Sequence, residues 1–180
     1  MKTKPNIKKE IFQWIFAISL AVILALGINN YVFARATVSG PSMLPTLTNN
    51  DSIFVEKISL LTMNIKRGQI IIFNSENKDK DIFVKRVIGI EGDEVELKGG
   101  KVYLNGKELD EPYLKENTQT KPGTFLAENQ KFKVAKDYIF VLGDNREVSN
   151  DSIYLGPIKT KEIDGHVIFR AYPFNSIKGF

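Results

Sequence analysis

Hydrophobic residues are arranged in two ways along this chain, as one unbroken run near the start and as short alternating runs afterwards. Residues 11–34 contain no charge, and the first 18 of them (IFQWIFAISLAVILALGI) are interrupted only by Gln13, Ser19 and Gly27. At about 1.5 Å of rise per residue, 24 residues make a helix of roughly 36 Å, longer than the ~30 Å hydrocarbon core of a bilayer. Trp14 toward one end, and Tyr31 and Phe33 toward the other, suit the two membrane interfaces. The pattern predicts a transmembrane helix over 11–34, a short tail over 1–10 and a separate domain over 35–180. A core helix is disfavoured because no polar face breaks the run. A cleaved leader is the rival reading, since Ala34-Arg35-Ala36 has the small-x-small form of a cleavage site. Against it, the run exceeds the ~7–15 residues of a leader's apolar core, and an arginine inside such a site is unusual.

Beyond Arg35 the pattern predicts strands over 51–56, 69–73, 82–90, 94–97, 101–104, 138–142 and 166–172, separated by Gly, Asn, Asp and Pro. Gly99-Gly100 and Asn105-Gly106 have the composition of two-residue hairpin turns. Seven short strands with little helical periodicity predict a mostly β fold. Residues 111–131 are polar, contain Pro112, Pro122 and Gly123, and read as a long exposed connection. Residues 58–65 (ISLLTMNI) are apolar for a surface connection and suit either a packed loop or a shallow dip into lipid. No internal repeat or low-complexity tract is present.

Charge and composition then remove several function classes. The 180 residues include no Cys and one His, His166, which excludes a disulfide framework, a thiol nucleophile, a Cys-ligated metal site and a His-rich one. The formal net charge is +4. All of the excess lies in residues 1–35, where Lys2, Lys4, Lys8, Lys9 and Arg35 face only Glu10; the other 145 residues carry 20 basic and 20 acidic side chains. A basic domain for nucleic acid is therefore absent, and lysines preceding an apolar span place the N-terminus in the cytoplasm and the β domain outside the membrane. A terminal-strand position suggests a structural role for His166.

Three stretches carry candidate chemistry. In residues 39–47 (SGPSMLPTL), Pro41 and Pro45 fix φ on either side of Ser42 and would hold its hydroxyl in one orientation; alone, the stretch reads as an ordinary turn. In residues 82–90 (IFVKRVIGI), alternation puts Ile82, Val84, Ile88 and Ile90 on one face with Arg86, and Phe83 and Val87 beside Lys85 on the other. A strand apolar on both faces is typically buried, and burial pushes a lysine below its usual ~10.4, making the neutral amine available as a general base. The alternative is an edge-strand lysine that snorkels to water. Residues 143–152 (GDNREVSNDS) are rich in short polar side chains, and Asp144 and Asp151 could pair with buried arginines.

Taken together, serine in S-M-x-P-T-L, lysine in an apolar strand 43 residues later and G-D-N-R-x-x-S-x-D-S beyond it resemble the type I signal peptidase family in content, order and spacing. With one N-terminal anchor and a compact ectodomain, the chain is similar to the Gram-positive form, over nearly its whole length. The resemblance implies a membrane-anchored signal-peptidase-like β-fold in which Ser42 is the nucleophile and Lys85 the general base, with no cofactor and no metal. It also implies that Ser149 orients Lys85, that Arg86 pairs with Asp144, and that the Ser42 N–H stabilises the oxyanion. The implied partners are exported preproteins with signal peptides, cut after Ala-x-Ala, and membrane lipid. Val38, Met43, Leu47, Phe83 and Val84 match the shallow apolar pockets for the small side chains. Two positions depart from the family. Gly40 replaces a serine that serves some members as a second oxyanion donor. Ile153 replaces an arginine that pairs with the Asp151 aspartate, which predicts that Ile153→Arg would lower the Lys85 pKa, unless another group such as Arg146 already serves Asp151. Self-cleaving repressor-type peptidases share a Ser-Lys dyad but carry a DNA-binding domain where this chain has an apolar span. A catalytically silent membrane-anchored binding module is the other class, and retention of both Ser42 and Lys85 argues against it.

Overall fold

Alternation along single strands sends neighbouring residues into different cores, and this determines where the candidate residues lie. The computed structural model describes residues 7–31, 33–62, 64–74 and 82–180, with the side chains of 24–31, 61 and 62 outside the description. In chain order the elements are α1 (Ile7–Tyr31), β1 (Phe33–Thr37), β2 (Ser52–Glu56), α2 (Ile58–Thr62), β3 (Ile70–Asn74), β4 (Ile82–Gly89), β5 (Glu94–Lys98), β6 (Lys101–Leu104) and β7 (Lys107–Glu108). They continue with β8 (Lys131–Lys133), β9 (Tyr138–Leu142), α3 (Ser152–Leu155), β10 (Ile158–Lys159), β11 (Ile163–Tyr172) and β12 (Lys178–Gly179). Among the described residues one sheet runs β1-β2-β11-β3-β4-β9-β10 with β12 on β11, and a smaller sheet runs β7-β6-β5-β8. The fold is mostly β, as the alternating runs predict.

In β3, Ile70 and Ile72 join a core with Val38, Met43, Leu47, Ile53, Val55 and Val167, while Ile71 and Phe73 join another with Val87, Ile139, Val141 and Ile163. The third core, with Val95, Leu97, Val102, Phe140 and Leu142, lies under the smaller sheet. Alternation in β4 holds as far as Val87, where a register shift in its pairing with β9 intervenes. Ile90, expected on the Arg86 face, consequently packs against the Ile71 core. Both two-residue hairpin turns form: Gly99, Gly100, Asn105 and Gly106 all have positive φ, the conformation such turns require.

The helix and the apolar run do not share boundaries. Phe33 and Ala34 belong to β1, which pairs with β2 through all five of its residues, so the chain leaves the helix as soon as strand partners are available. From Ile7 to Ile23 the large apolar side chains of α1, Trp14 included, are 45–70% exposed. Among the described residues no helix is long and apolar enough to cross a membrane, and the side chains of 24–32 in the expected span lie outside the described residues. The apolar connection at 58–65 contains α2, with Ile58 exposed, Leu60 and Ile65 packed against the Ile71 core, and residue 63 outside the described residues.

Candidate active site

Lys85 is held between two strands. Ile71 of β3 is its direct partner on one side. On the other, β9 pairs with β4 from Arg86 opposite Leu142 onward, so one further step places Lys85 opposite Gly143. The side chain is 2% exposed, and its ammonium lies 5.4 Å from the centre of the Phe83 ring. Burial lowers the Lys85 pKa from 10.5 to about 8, opposed by the negative charges of Asp151 and Asp144. The buried-strand reading holds and the snorkelling one does not.

Gly143 brings the other stretches to this position. The Ser42 carbonyl accepts from the Asn145 N–H at 2.9 Å, and the Asn145 side-chain amide donates to the Pro41 carbonyl at 3.1 Å. A Cβ on Gly143 would collide with Ser149 Oγ and lie 2.6 Å from both Ser149 Cβ and the Ser42 carbonyl oxygen. Glycine is required there because two chain segments close on its α-carbon. Ser42 itself is half-buried.

Arg86 extends from the opposite face of β4 and forms the expected pair with Asp144, Nε and Nη2 donating at 2.8 and 2.6 Å to its two oxygens. Thr46 Oγ1 also donates to Asp144, which ties the Ser42 turn to the same carboxylate. Arg86 Nη1 donates to the Gly68 carbonyl at 2.8 Å.

The surroundings of Asp151, Arg146, Ser149 and Ile153 differ from the expectations. Asp151 accepts from the Gly143 and Ile153 N–H groups at 3.0 and 3.1 Å and caps α3; burial raises its pKa, opposed by those amides and by Lys85. Arg146 does not serve Asp151. It pairs instead with Glu111, donates from Nε to the Gly143 carbonyl at 3.0 Å and from Nη1 to Thr120 Oγ1 at 2.6 Å. Ser149 Oγ is buried and makes no bond to Lys85; it acts on the Asp151 carboxylate, whose pKa it helps to hold down, and its side chain is packed against Gly143. Ile153 lies in the core beneath the smaller sheet, in contact range of any Cβ at Gly123, so the position that carries the family's arginine belongs here to an apolar cluster.

Of the five residues expected to line the pockets, Val38, Met43 and Leu47 are buried in one core, while Phe83 and Val84 remain half-exposed beside Lys85. Among the described residues, β9 does not extend along Ile82–Val84, so that edge of β4 presents backbone groups next to the amine. Sequence reasoning missed Thr46, Glu111 and Tyr113; the last two lie in the connection read as exposed, and the Tyr113 ring centre sits 3.9 Å from the Arg86 guanidinium carbon. His166 is buried with Nδ1 2.7 Å from Ser59 Oγ and 3.2 Å from a Glu56 carboxylate oxygen, on β2 and α2 rather than at this site. No metal-binding group of His, Cys, Asp and Glu occurs among the described residues.

The family model described as "Signal peptidase, peptidase S26" matches residues 11–172. Signal peptidase IB of Staphylococcus aureus (strain COL) is 37% identical over 182 residues, covering 95% of this chain and 94% of that protein. Signal peptidase I of Bacillus amyloliquefaciens is 41% identical over 181 residues, covering 98% and 96%. A crystal structure of a signal peptidase I from Enterococcus faecalis V583 matches at 30% identity with a TM-score of 0.46, over 57% of this chain and 96% of that one.

Proposed function

The chain belongs to the signal peptidase family, peptidase S26, and is a serine peptidase that removes signal peptides; from that premise we propose that Ser42 and Lys85 form its catalytic dyad. The observation that carries the reading is a buried, partly neutralised Lys85 standing opposite Gly143, against which the Ser42 carbonyl closes. The Ser42 hydroxyl attacks the carbonyl carbon of the scissile bond as its proton passes to the neutral Lys85 amine. The resulting ammonium returns that proton to the departing amine, leaving an ester on Ser42. Lys85 then takes a proton from water as the water oxygen attacks the ester, and its ammonium returns that proton to the departing Ser42 oxygen, which releases the signal peptide and restores both groups. The Ser42 N–H donates to the oxyanion. Ser149 supports Lys85, a reading that rests on its buried position against Gly143, the residue opposite the amine.

Small residues, as in Ala-x-Ala, are recognised over the floor of Val38, Met43 and Leu47 and beside Phe83 and Val84. The preprotein lies extended and adds a strand to the open edge of β4. The apolar α1 anchors the enzyme in the cell membrane, with the basic tail in the cytoplasm and residues 36–180 outside; its support is the charge-free run of 24 residues preceded by lysines.

The test is cleavage of an Ala-x-Ala preprotein by the detergent-solubilised chain. Ser42→Ala and Lys85→Ala should each abolish processing with the circular dichroism spectrum unchanged, and the double variant should be no slower than either single one, because the residues act as a unit. Processing by either folded single variant would overturn the dyad.

A further inference from the structure

One tripeptide from the connection read as exposed reaches both arginines behind the catalytic residues. The Tyr113 ring covers the Arg86 guanidinium at 3.9 Å, and its hydroxyl donates to Glu111 Oε1 at 2.6 Å. Burial raises the Tyr113 pKa, so the hydroxyl keeps the proton it donates. Glu111 in turn receives both terminal nitrogens of Arg146, Nη1 at 3.1 Å to Oε2 and Nη2 to Oε1. Pro112, between them, restricts the turn that presents both side chains to one surface.

Each arginine continues into the site. Arg86 neutralises Asp144, which also accepts from Thr46 of the nucleophile turn. Arg146 holds the carbonyl of Gly143, the residue opposite Lys85 and in contact range of Ser42 and Ser149. We propose that Glu111 and Tyr113 are positioning residues for the peptidase reaction, a bracket that clamps Arg86 and Arg146 and so fixes Asp144 and Gly143 beside the catalytic amine. The proposal rests on the reading of Ser42 and Lys85 as the dyad.

The sign of its effect follows from what faces Lys85. Asp144 and Asp151 approach from the connection between β9 and α3, Arg86 is the neighbour on β4, and β3 presents the apolar Ile71. Loosening Arg86 leaves the Asp144 charge less compensated, and an uncovered site admits water. Both favour the ammonium form and leave less free base at neutral pH.

The experiment uses the full chain in detergent micelles and two independent readouts. One is the titration of Lys85 by its 13Cε resonance without substrate, assigned by its loss in Lys85→Met; the other is the pH profile of kcat and KM on an Ala-x-Ala preprotein. Tyr113→Leu should move the Lys85 titration upward by about one unit and lower kcat at pH 7 about tenfold, with KM within twofold. Tyr113→Phe, which keeps the ring on Arg86, should restore most of that loss. Glu111→Ala should lower kcat with KM within twofold, and combined with Tyr113→Leu should cost less than the product of the single effects. If Tyr113→Leu does not fold, Glu111→Ala carries the test. A cleaving, folded Tyr113→Leu enzyme with lower thermal stability but an unmoved Lys85 titration would overturn the bracket, as would an unchanged kcat in Glu111→Ala. A shifted Lys85 in a chain whose parent does not cleave would count against the dyad and leave the bracket standing.

Discussion

At the scale of single residues, the burial of Lys85 has two measurable consequences. Its pKa in the folded chain is about 8, against 10.5 as the unperturbed value. The rate kcat/KM should therefore rise with pH along a curve centred near 8 and level off above it; a profile centred near 10.5 would contradict a buried base. The second consequence is a stability cost. Between those two values the unfolded chain holds a proton that the folded chain lacks, so stability rises with pH through that window and the penalty is full below it. The displacement corresponds to on the order of 3 kcal/mol. Lys85→Met should thus raise the melting temperature at pH 7, with the gain shrinking above pH 8, as scanning calorimetry across pH would record. Ile153 carries the opposite lesson. An arginine at that position would enter a packed core beside Gly123 before reaching Asp151. Ile153→Arg should lower stability by about 3 kcal/mol in a denaturant titration instead of improving the base.

At the scale of elements, the connection from β9 to α3 acts as a platform. Asp151 binds its own Gly143 N–H and caps α3 through Ile153, Arg146 binds the Gly143 carbonyl, and Asn145 binds the Ser42 turn. The N–H and the carbonyl of Gly143, on either side of its α-carbon, are thereby held by different side chains, which explains how a loop positions atoms as a strand would. Gly143→Ala should push the Ser42 turn and Ser149 apart and cut kcat at least a hundredfold while the β-sheet spectrum persists, measured by single-turnover cleavage alongside circular dichroism. Retained activity would mean that the turn tolerates displacement. The boxes around Ser42, Lys85 and Ser149 were legible in the sequence only as an ordered set that resembles a family, since each alone reads as an ordinary turn or strand. The bracket was not, because the polar composition of 111–131 is the same whether its carboxylate meets solvent or a guanidinium.

At the scale of the whole molecule, the chain divides energetically at Phe33. β1 satisfies its backbone on β2, and the described side chains of α1 stand exposed outside the three cores. Removing residues 1–32 should leave the melting temperature of the remaining β fold within about 2 °C and its cleavage of a short soluble peptide within a few-fold, while slowing processing of a membrane-inserted preprotein at least tenfold. Equal loss on both substrates would show that α1 contributes to the fold itself. In intact protoplasts, external protease should digest residues 36–180 and spare an N-terminal tag.

Hydropathy alone determined the mostly β architecture, the two glycine-bearing hairpins and the apolar run, since periodicity two, positive φ and an absence of charge are properties of neighbouring residues. It narrowed Lys85 to a buried cation or an edge-strand lysine that snorkels, because one strand was apolar on both faces. Tertiary structure decided the rest. That Arg146 serves Glu111 and not Asp151, that Asp151 is held by backbone amides, that Ser149 packs on Gly143 and that Ile153 fills a core are all choices among chemically equivalent partners. Any buried carboxylate can satisfy any guanidinium, so composition leaves such pairings open until the sheets bring particular side chains within 3 Å.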